Sequence, residues 1–185
     1  MGDLWLVRHG QTEWSRAGRH TSTTDLPLLP EGEDAARALA SRLAGTPFEL
    51  VLTSPRRRAR RTAELAGFPD AEVDPDLAEW EYGDYEGVTT LEIQEHTPGW
   101  TIWTQPAPGG ESAQQVSARL DRVVARVRST EGATLVVGHG HASRALAARW
   151  LGLPVSEGRL LRLDTATVSV LGYERADPVV LRWNS

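Results

Sequence analysis

At 185 residues, 40% of them hydrophobic and 24% charged, the chain has the size and composition of one globular domain, residues 1–185, with a sizeable core, which excludes a disordered polypeptide. It contains no cysteine, which excludes disulfides and thiolate metal sites; with neither a bilayer-length apolar run nor a leader-like N-terminus, the expectation is a cytoplasmic protein without a membrane partner. The net charge of −5 speaks against a nucleic-acid partner, since such binding draws on an excess of Lys and Arg, and leaves any anionic ligand to a local cluster of positive charge.

Apolar strands alternate with amphipathic helices, the pattern of an α/β fold with a mostly parallel central sheet and helices on both faces, a three-layer αβα sandwich. Leu4 to Arg8 reads as the first strand. After a loop rich in Thr and Ser, Pro30-Glu31-Gly32 opens a helix whose Ala36, Leu39, Ala40 and Leu43 recur at helical spacing. Phe48 to Thr53 is the next strand. Ser54-Pro55 then starts an arginine-rich helix to about Ala66, with Ser54 as its cap and Pro55 at the first helical position, where its missing N–H is harmless. A longer helix is marked by Ser112 and Gln115 at capping-box spacing and by one apolar stripe of Val116, Leu120, Val123, Val124 and Val127. Thr134 to Gly138 is a strongly apolar strand and His141 to Leu151 the helix after it. Leu160 to Leu163, Val168 to Leu171 and Val179 to Trp183 complete the chain as strands, with one or more antiparallel at an edge.

Arg8-His9-Gly10 stands where the first strand runs out, and in open α/β sheets ligands bind in the crevice beyond the carboxyl ends of the strands. Arg8 offers a planar fork of donors suited to phosphate, His9 a ring nitrogen that is nucleophilic near neutral pH, and Gly10 a backbone that can come close to a ligand. Gly138-His139-Gly140-His141 repeats the arrangement after Leu135-Val136-Val137. If both strands are central and parallel, His9 and His139 meet on one edge of the sheet. The arginine-rich helix opens on that edge too, with Arg56, Arg57, Arg58, Arg60 and Arg61 in reach; a helix can aim only one or two of them inward, and the remainder read as a solvated face. His139 and His141 read as a metal pair lack a cysteine and a carboxylate at ligand spacing, so no metal or other cofactor is expected.

Taken in order, five segments resemble the motifs of the histidine phosphatase superfamily, also called the phosphoglycerate mutase-like family, over nearly the whole chain. Leu6-Val7-Arg8-His9-Gly10-Gln11-Thr12-Glu13-Trp14 resembles the nucleophile motif, and Thr53-Ser54-Pro55 with Arg58, Ala59, Thr62 and Ala63 the second arginine motif. Leu77-Ala78-Glu79 with Gly83 and Glu86-Gly87 resembles the acid motif, Gly110-Glu111-Ser112 the Gly-Glu-Ser motif, and Val137-Gly138-His139-Gly140 the second-histidine motif. Arg8-His9-Gly10-Gln11-Thr12-Glu13-Trp14-Ser15, Thr24-Asp25-Leu26-Pro27-Leu28, Glu79-Trp80-Glu81-Tyr82-Gly83-Asp84-Tyr85-Glu86-Gly87 and His139-Gly140-His141-Ala142 are similar to the branch that includes fungal sedoheptulose-1,7-bisphosphatase. The chain departs from the commoner pattern where His141 replaces a second glycine. It departs from the mutases where Ser15 replaces an asparagine, and where only Val88 to Gly109 fills the stretch in which they carry a substrate-covering segment.

The resemblance implies a phosphoglycerate mutase-like fold and hydrolysis of a small phosphorylated metabolite, a sugar phosphate or bisphosphate. In that scheme His9 attacks phosphorus to give a phosphohistidine that water cleaves. Arg8, Arg58 and His139 hold the phosphoryl oxygens, and Glu79 protonates the leaving oxygen and then serves as base for the water. Glu81 and Glu86 lie close by, but only Glu79 fits the family spacing. Motif position adds Gln11, Thr12, Ser22, Tyr82 and Gly140 as substrate contacts. His20 reads as lining the pocket mouth or as a surface residue, His141 as a substrate contact or a support for His139, and His96 as exposed on a helix. Trp14, Trp80, Trp100 and Trp103 read as cleft wall or as core. Two alternatives stand behind the phosphatase: a phosphoglycerate-type phosphomutase, which must keep water from the same phosphohistidine, and a non-catalytic phospho-ligand module. Oligomeric state is open, a homodimer included.

Overall fold

The computed structural model describes residues 2–185. In chain order its elements are β1 (Leu4–Arg8), α1 (Glu13–Ala17), α2 (Pro30–Leu43), β2 (Phe48–Thr53), α3 (Arg57–Leu65), β3 (Glu72–Val73), α4 (Thr90–His96), α5 (Ala113–Arg128), β4 (Ala133–Gly138), α6 (Gly140–Trp150), β5 (Val168–Glu174) and β6 (Asp177–Arg182). The strands form a six-stranded sheet in the order β3-β2-β4-β1-β5-β6. β1 and β2 flank β4 and run parallel to it, whereas β5 is antiparallel to β1 and β6 to β5.

The central strands are nearly continuous apolar runs because helices cover both faces, and successive side chains supply opposite layers. Leu4, Leu6 and Val136 pack on one face with Val116, Leu120 and Val123 of α5 and Ala145 and Leu146 of α6. Val7, Leu135 and Val137 pack on the other with Leu39 and Leu43 of α2 and Ala59 and Ala63 of α3. The fold is the α/β sandwich expected, with a mixed but mostly parallel sheet.

Register brings the chemistry to one edge. Arg8 pairs with Gly138 and Thr53 with Val137, so the next residue of each strand leaves the sheet on the same side. The ladder continues one residue further, with His9 N donating to Gly138 O at 2.9 Å and Ser54 N donating to Val137 O at 3.0 Å. His9, Ser54 and His139 are therefore neighbours although 129 residues of chain separate the two histidines.

Three local expectations are corrected. The arginine-rich helix begins at Arg57, with Arg56 as its cap residue, not at Ser54-Pro55. Ser54 Oγ accepts instead from Arg56 N at 3.2 Å and meets His139 Nε2 at 2.6 Å, so the hydroxyl serves the site and not the helix end. Leu160 to Leu163 is not a strand: Val155–Leu160 is a 3-10 turn, Leu160 is exposed, and the chain then crosses the end of β1, where Leu163 O accepts from Arg8 Nη1 at 2.6 Å. Gly10 does not open backbone to a ligand. A Cβ there would lie 2.3 Å from Gly32 O, so its smallness lets the nucleophile loop pack against the first turn of α2.

Candidate active site

His9 projects from the end of β1, buried to 5% exposure. Its Nδ1 lies 2.7 Å from the Gly10 carbonyl, which can only accept, so Nδ1 carries the ring proton and Nε2 keeps its lone pair. Burial holds the imidazole well below its ordinary value near 6.5, and the guanidiniums of Arg58 and Arg8 push the same way. An uncharged ring with a free Nε2 is a nucleophile at neutral pH. The loop that carries it is tied to α3, because Gly10 N donates to Thr62 Oγ1 at 3.0 Å and Thr62 Oγ1 donates to Arg58 O at 2.7 Å.

Of the arginines that open α3, Arg58 alone is fully buried, while Arg57 and Arg60 are exposed. Arg58 Nη1 donates to Thr24 O and its Nη2 to Thr21 O, both at 3.0 Å, so the guanidinium pins the loop after α1. Arg8 is held by Leu163 O and lies against Gly140. Nε of Arg8 and Nε of Arg58 are both buried without a partner among the described residues. Two buried guanidiniums beside the nucleophile set up a positive field that favours an anionic ligand.

His139 is fully buried, with its ring centroid 5.2 Å from that of His9. His139 Nε2 and Ser54 Oγ share a hydrogen bond at 2.6 Å, and Ser54 Oγ also accepts from Arg56 N; His139 Nδ1 is buried with no partner among the described residues. Burial holds this ring, too, well below the usual imidazole range, aided by Arg58.

Glu79 sits where the irregular chain after β3 meets the first turn of α6. Its Oε1 accepts from Ala142 N at 2.7 Å and Trp80 N at 2.9 Å, and Oε2 accepts from His141 N at 3.0 Å. These donors hold the carboxylate in the same cleft as Arg8 and His9. The Gly-Glu-Ser segment supports it from behind: Glu111 Oε2 accepts from Glu81 N, and Arg119, paired with Glu111, donates to the Asp76 and Ala78 carbonyls. Glu81 is exposed, and Glu86 is occupied by Ser22 and Thr24, so neither competes for the position of Glu79.

The cleft, about 200 Å³, is lined by Arg8, His9, Glu79, Tyr82, Gly140 and His141, and also by His20, Arg19 and Arg144. His20 is buried in it. Thr12 lies elsewhere, fully buried as the cap of α1, its Oγ1 accepting from Ser15 N at 3.1 Å. Ser22 donates its hydroxyl to Glu86 at 2.6 Å, and Gln11 uses its carbonyl to accept from Leu29 N; neither lines the cleft. Trp80 and Trp100 belong to the core, while Trp103 stands beside His141 and under the Arg144 guanidinium, 4.6 Å from its ring centroid. The sequence reading did not include Arg144. It follows His141 by three residues in α6, a spacing that puts both on one helix face and could have found it.

His9, His139 and His141 are all held uncharged by burial, which makes stability depend on pH. The unfolded chain binds protons on these rings below about 6.5 and the folded chain does not, so stability is fully present above that value and falls as pH drops. Thermal melting is expected to be level near pH 7.5 and to decline steadily from about pH 6.5 to 5. A melting temperature that holds or rises over that interval contradicts the burial of neutral imidazoles.

The end of a parallel sheet that offers an unprotonated imidazole nitrogen among buried guanidiniums and a fixed carboxylate has the make-up of a phosphoryl-transfer enzyme. The chain belongs to the histidine phosphatase superfamily (branch 1), whose profile matches residues 4–185. It is 45% identical over 177 residues to an acid phosphatase of Mycobacterium tuberculosis (strain ATCC 25618 / H37Rv), covering 92% of this chain and 86% of that one. It is 40% identical over 185 residues to sedoheptulose 1,7-bisphosphatase of Saccharomyces cerevisiae (strain ATCC 204508 / S288c), covering 82% and 68%. A solved structure of an open reading frame product from Mycobacterium tuberculosis superposes with a TM-score of 0.94 at 41% identity, covering 99% of this chain and 97% of that one. The chain is accordingly an enzyme of phosphomonoester hydrolysis with the phosphoglycerate mutase-like fold.

Proposed function

We propose that the protein hydrolyses a sugar phosphate or bisphosphate through a phosphohistidine on His9. The observation that carries the reading is the His9 ring itself: Nδ1–H is committed to Gly10 O, Nε2 is free in the cleft, and burial, aided by two arginines, keeps the ring neutral. Nε2 attacks phosphorus, the bond to the leaving oxygen breaks, and Arg8, Arg58 and His139 take up the charge on the phosphoryl oxygens. The substrate, bound as its monoanion, brings a proton that Glu79 takes up and passes to the leaving alkoxide. The carboxylate then takes one from the water that attacks the phosphohistidine, returning His9 to its starting state with release of inorganic phosphate. Arg144, which lines the cleft and is held by the Gly158 and Arg159 carbonyls with no carboxylate partner among the described residues, supports a substrate with a second anionic group.

Phosphate release from a panel of sugar mono- and bisphosphates, in EDTA and without added metal, tests the reading. The wild type is expected to turn over at least one of them. Glu79→Gln is expected to lower kcat by about 10²- to 10⁴-fold on sugar phosphates, and by less on nitrophenyl phosphate, whose leaving group needs no proton. An equal loss on both leaving groups would remove Glu79 from the proton-donor role.

A further inference from the structure

Two imidazoles in the cleft have no part in that chemistry. His20 and His141 stack with ring centroids 6.0 Å apart and planes inclined by 22°. Each has one nitrogen committed. His20 Nδ1 lies 2.7 Å from the Val88 carbonyl, an acceptor only, so Nδ1 carries the proton and Nε2 presents a lone pair. His141 Nδ1 lies 2.6 Å from the hydroxyl of buried Tyr82, which has no other partner among the described residues. The phenolic proton therefore goes to Nδ1, and the ring proton of His141 resides on Nε2. Burial and Glu79 hold the phenol well above its ordinary value near 10.0, which keeps that proton in place. Burial lowers both imidazoles, so both are uncharged.

The wall of the cleft thus presents an acceptor and a donor next to one another, neither bonded to the protein among the described residues. Tyr82 and Trp100 pack on His20 with centroids 4.6 and 5.4 Å away, and Trp103 packs on His141 at 5.1 Å, so the ring planes are fixed before any ligand arrives. We infer that His20 Nε2 and His141 Nε2 form a reader of substrate hydroxyls, one accepting and one donating, that selects polyol phosphates over alkyl or aryl phosphates. A hydroxyl is the group that is both donor and acceptor. A second phosphate would satisfy His141 but set its oxygens against the His20 lone pair, and an ammonium would satisfy His20 alone. The inference rests on the phosphatase reading, because the polyol is the leaving group of that reaction.

Erythritol 4-phosphate and butyl phosphate share a carbon skeleton and differ only in hydroxyls. Phosphate release is to be measured as kcat/KM on each, for the wild type and for His141→Phe, His20→Phe and His141→Gln. The wild type is expected to prefer the polyol by about a hundredfold or more, since sites built to hydrogen-bond a hydroxyl strongly reject its absence. Each Phe variant is expected to reduce that preference about tenfold or more, whereas His141→Gln, which keeps an N–H at the end of the side chain, retains most of it. A wild type indifferent to the hydroxyls overturns the inference and leaves the phosphatase reading standing. So do Phe variants that lower both substrates by one factor, since the preference would then be untouched. A wild type that releases phosphate from neither substrate nor from the sugar phosphate panel overturns both.

Discussion

His9→Ala is expected to lower kcat for phosphate release by on the order of 10⁴- to 10⁶-fold, the loss seen when a covalent nucleophile is deleted from a site otherwise intact. No neighbouring group can take its place. His139 has Nε2 engaged by Ser54 and its other nitrogen buried away from the cleft, and His141 has Nδ1 engaged by Tyr82. The folded state should survive, because the His9 ring makes one hydrogen bond, to Gly10 O, and its backbone N–H donation to Gly138 O is unaffected. Steady-state phosphate release and a thermal melt on the same preparation check both statements. A variant within tenfold of wild-type kcat would contradict the nucleophile assignment.

Arg58→Leu is expected to fail in three measurable ways. Phosphate release should fall by about 10³- to 10⁵-fold, the range for removing an arginine that stabilises a transferring phosphoryl group. The Thr21 and Thr24 carbonyls lose their donor, at about 1–3 kcal/mol each, so melting should shift down. The third effect is on pH. Arg58 is the larger of the two charges that depress His9, so its removal lets His9 bind a proton more readily, and the acid limb of kcat/KM should move to higher pH. Arg58→Lys keeps the charge without the planar fork, and should hold the acid limb near its wild-type position while recovering little of kcat. An Arg58→Leu variant whose acid limb stays in place would separate Arg58 from the electrostatics of His9.

What the sequence made legible follows the strength of local physical signals. β1 and β4 were readable because strands buried on both faces are apolar throughout, and the polar triplets at their ends had no structural reason to be there. α5 was readable from Ser112, Gln115 and one valine-leucine stripe, and its capping box is formed. The failures are places where a residue's usual local role was taken over by the site. Ser54 and Pro55 carry a helix-start signal, yet Ser54 orients His139. Leu160 to Leu163 are mostly apolar, as in a strand, but they cross the end of β1, which is already paired on both sides by β4 and β5, and their backbone holds Arg8. Thr12 and Ser22 lie in motif segments as a helix cap and a partner for Glu86, roles that sequence position cannot separate from substrate contact. His20 reaches the cleft only because the chain turns at Gly18, with φ 70°, and is fastened to Val88, a long-range arrangement that no short segment encodes.

The central claim is the covalent intermediate on His9. Rapid mixing with a sugar phosphate, an alkaline quench that preserves phosphohistidine, and mass analysis of the peptide containing His9 test it directly. The prediction is one phosphoryl group on His9 during turnover, absent from His9→Ala, with overall retention of configuration at a chiral phosphorus because two displacements occur. A phosphoryl-free His9 peptide together with inversion at phosphorus would mean that water attacks the substrate in a single step, and would contradict the account.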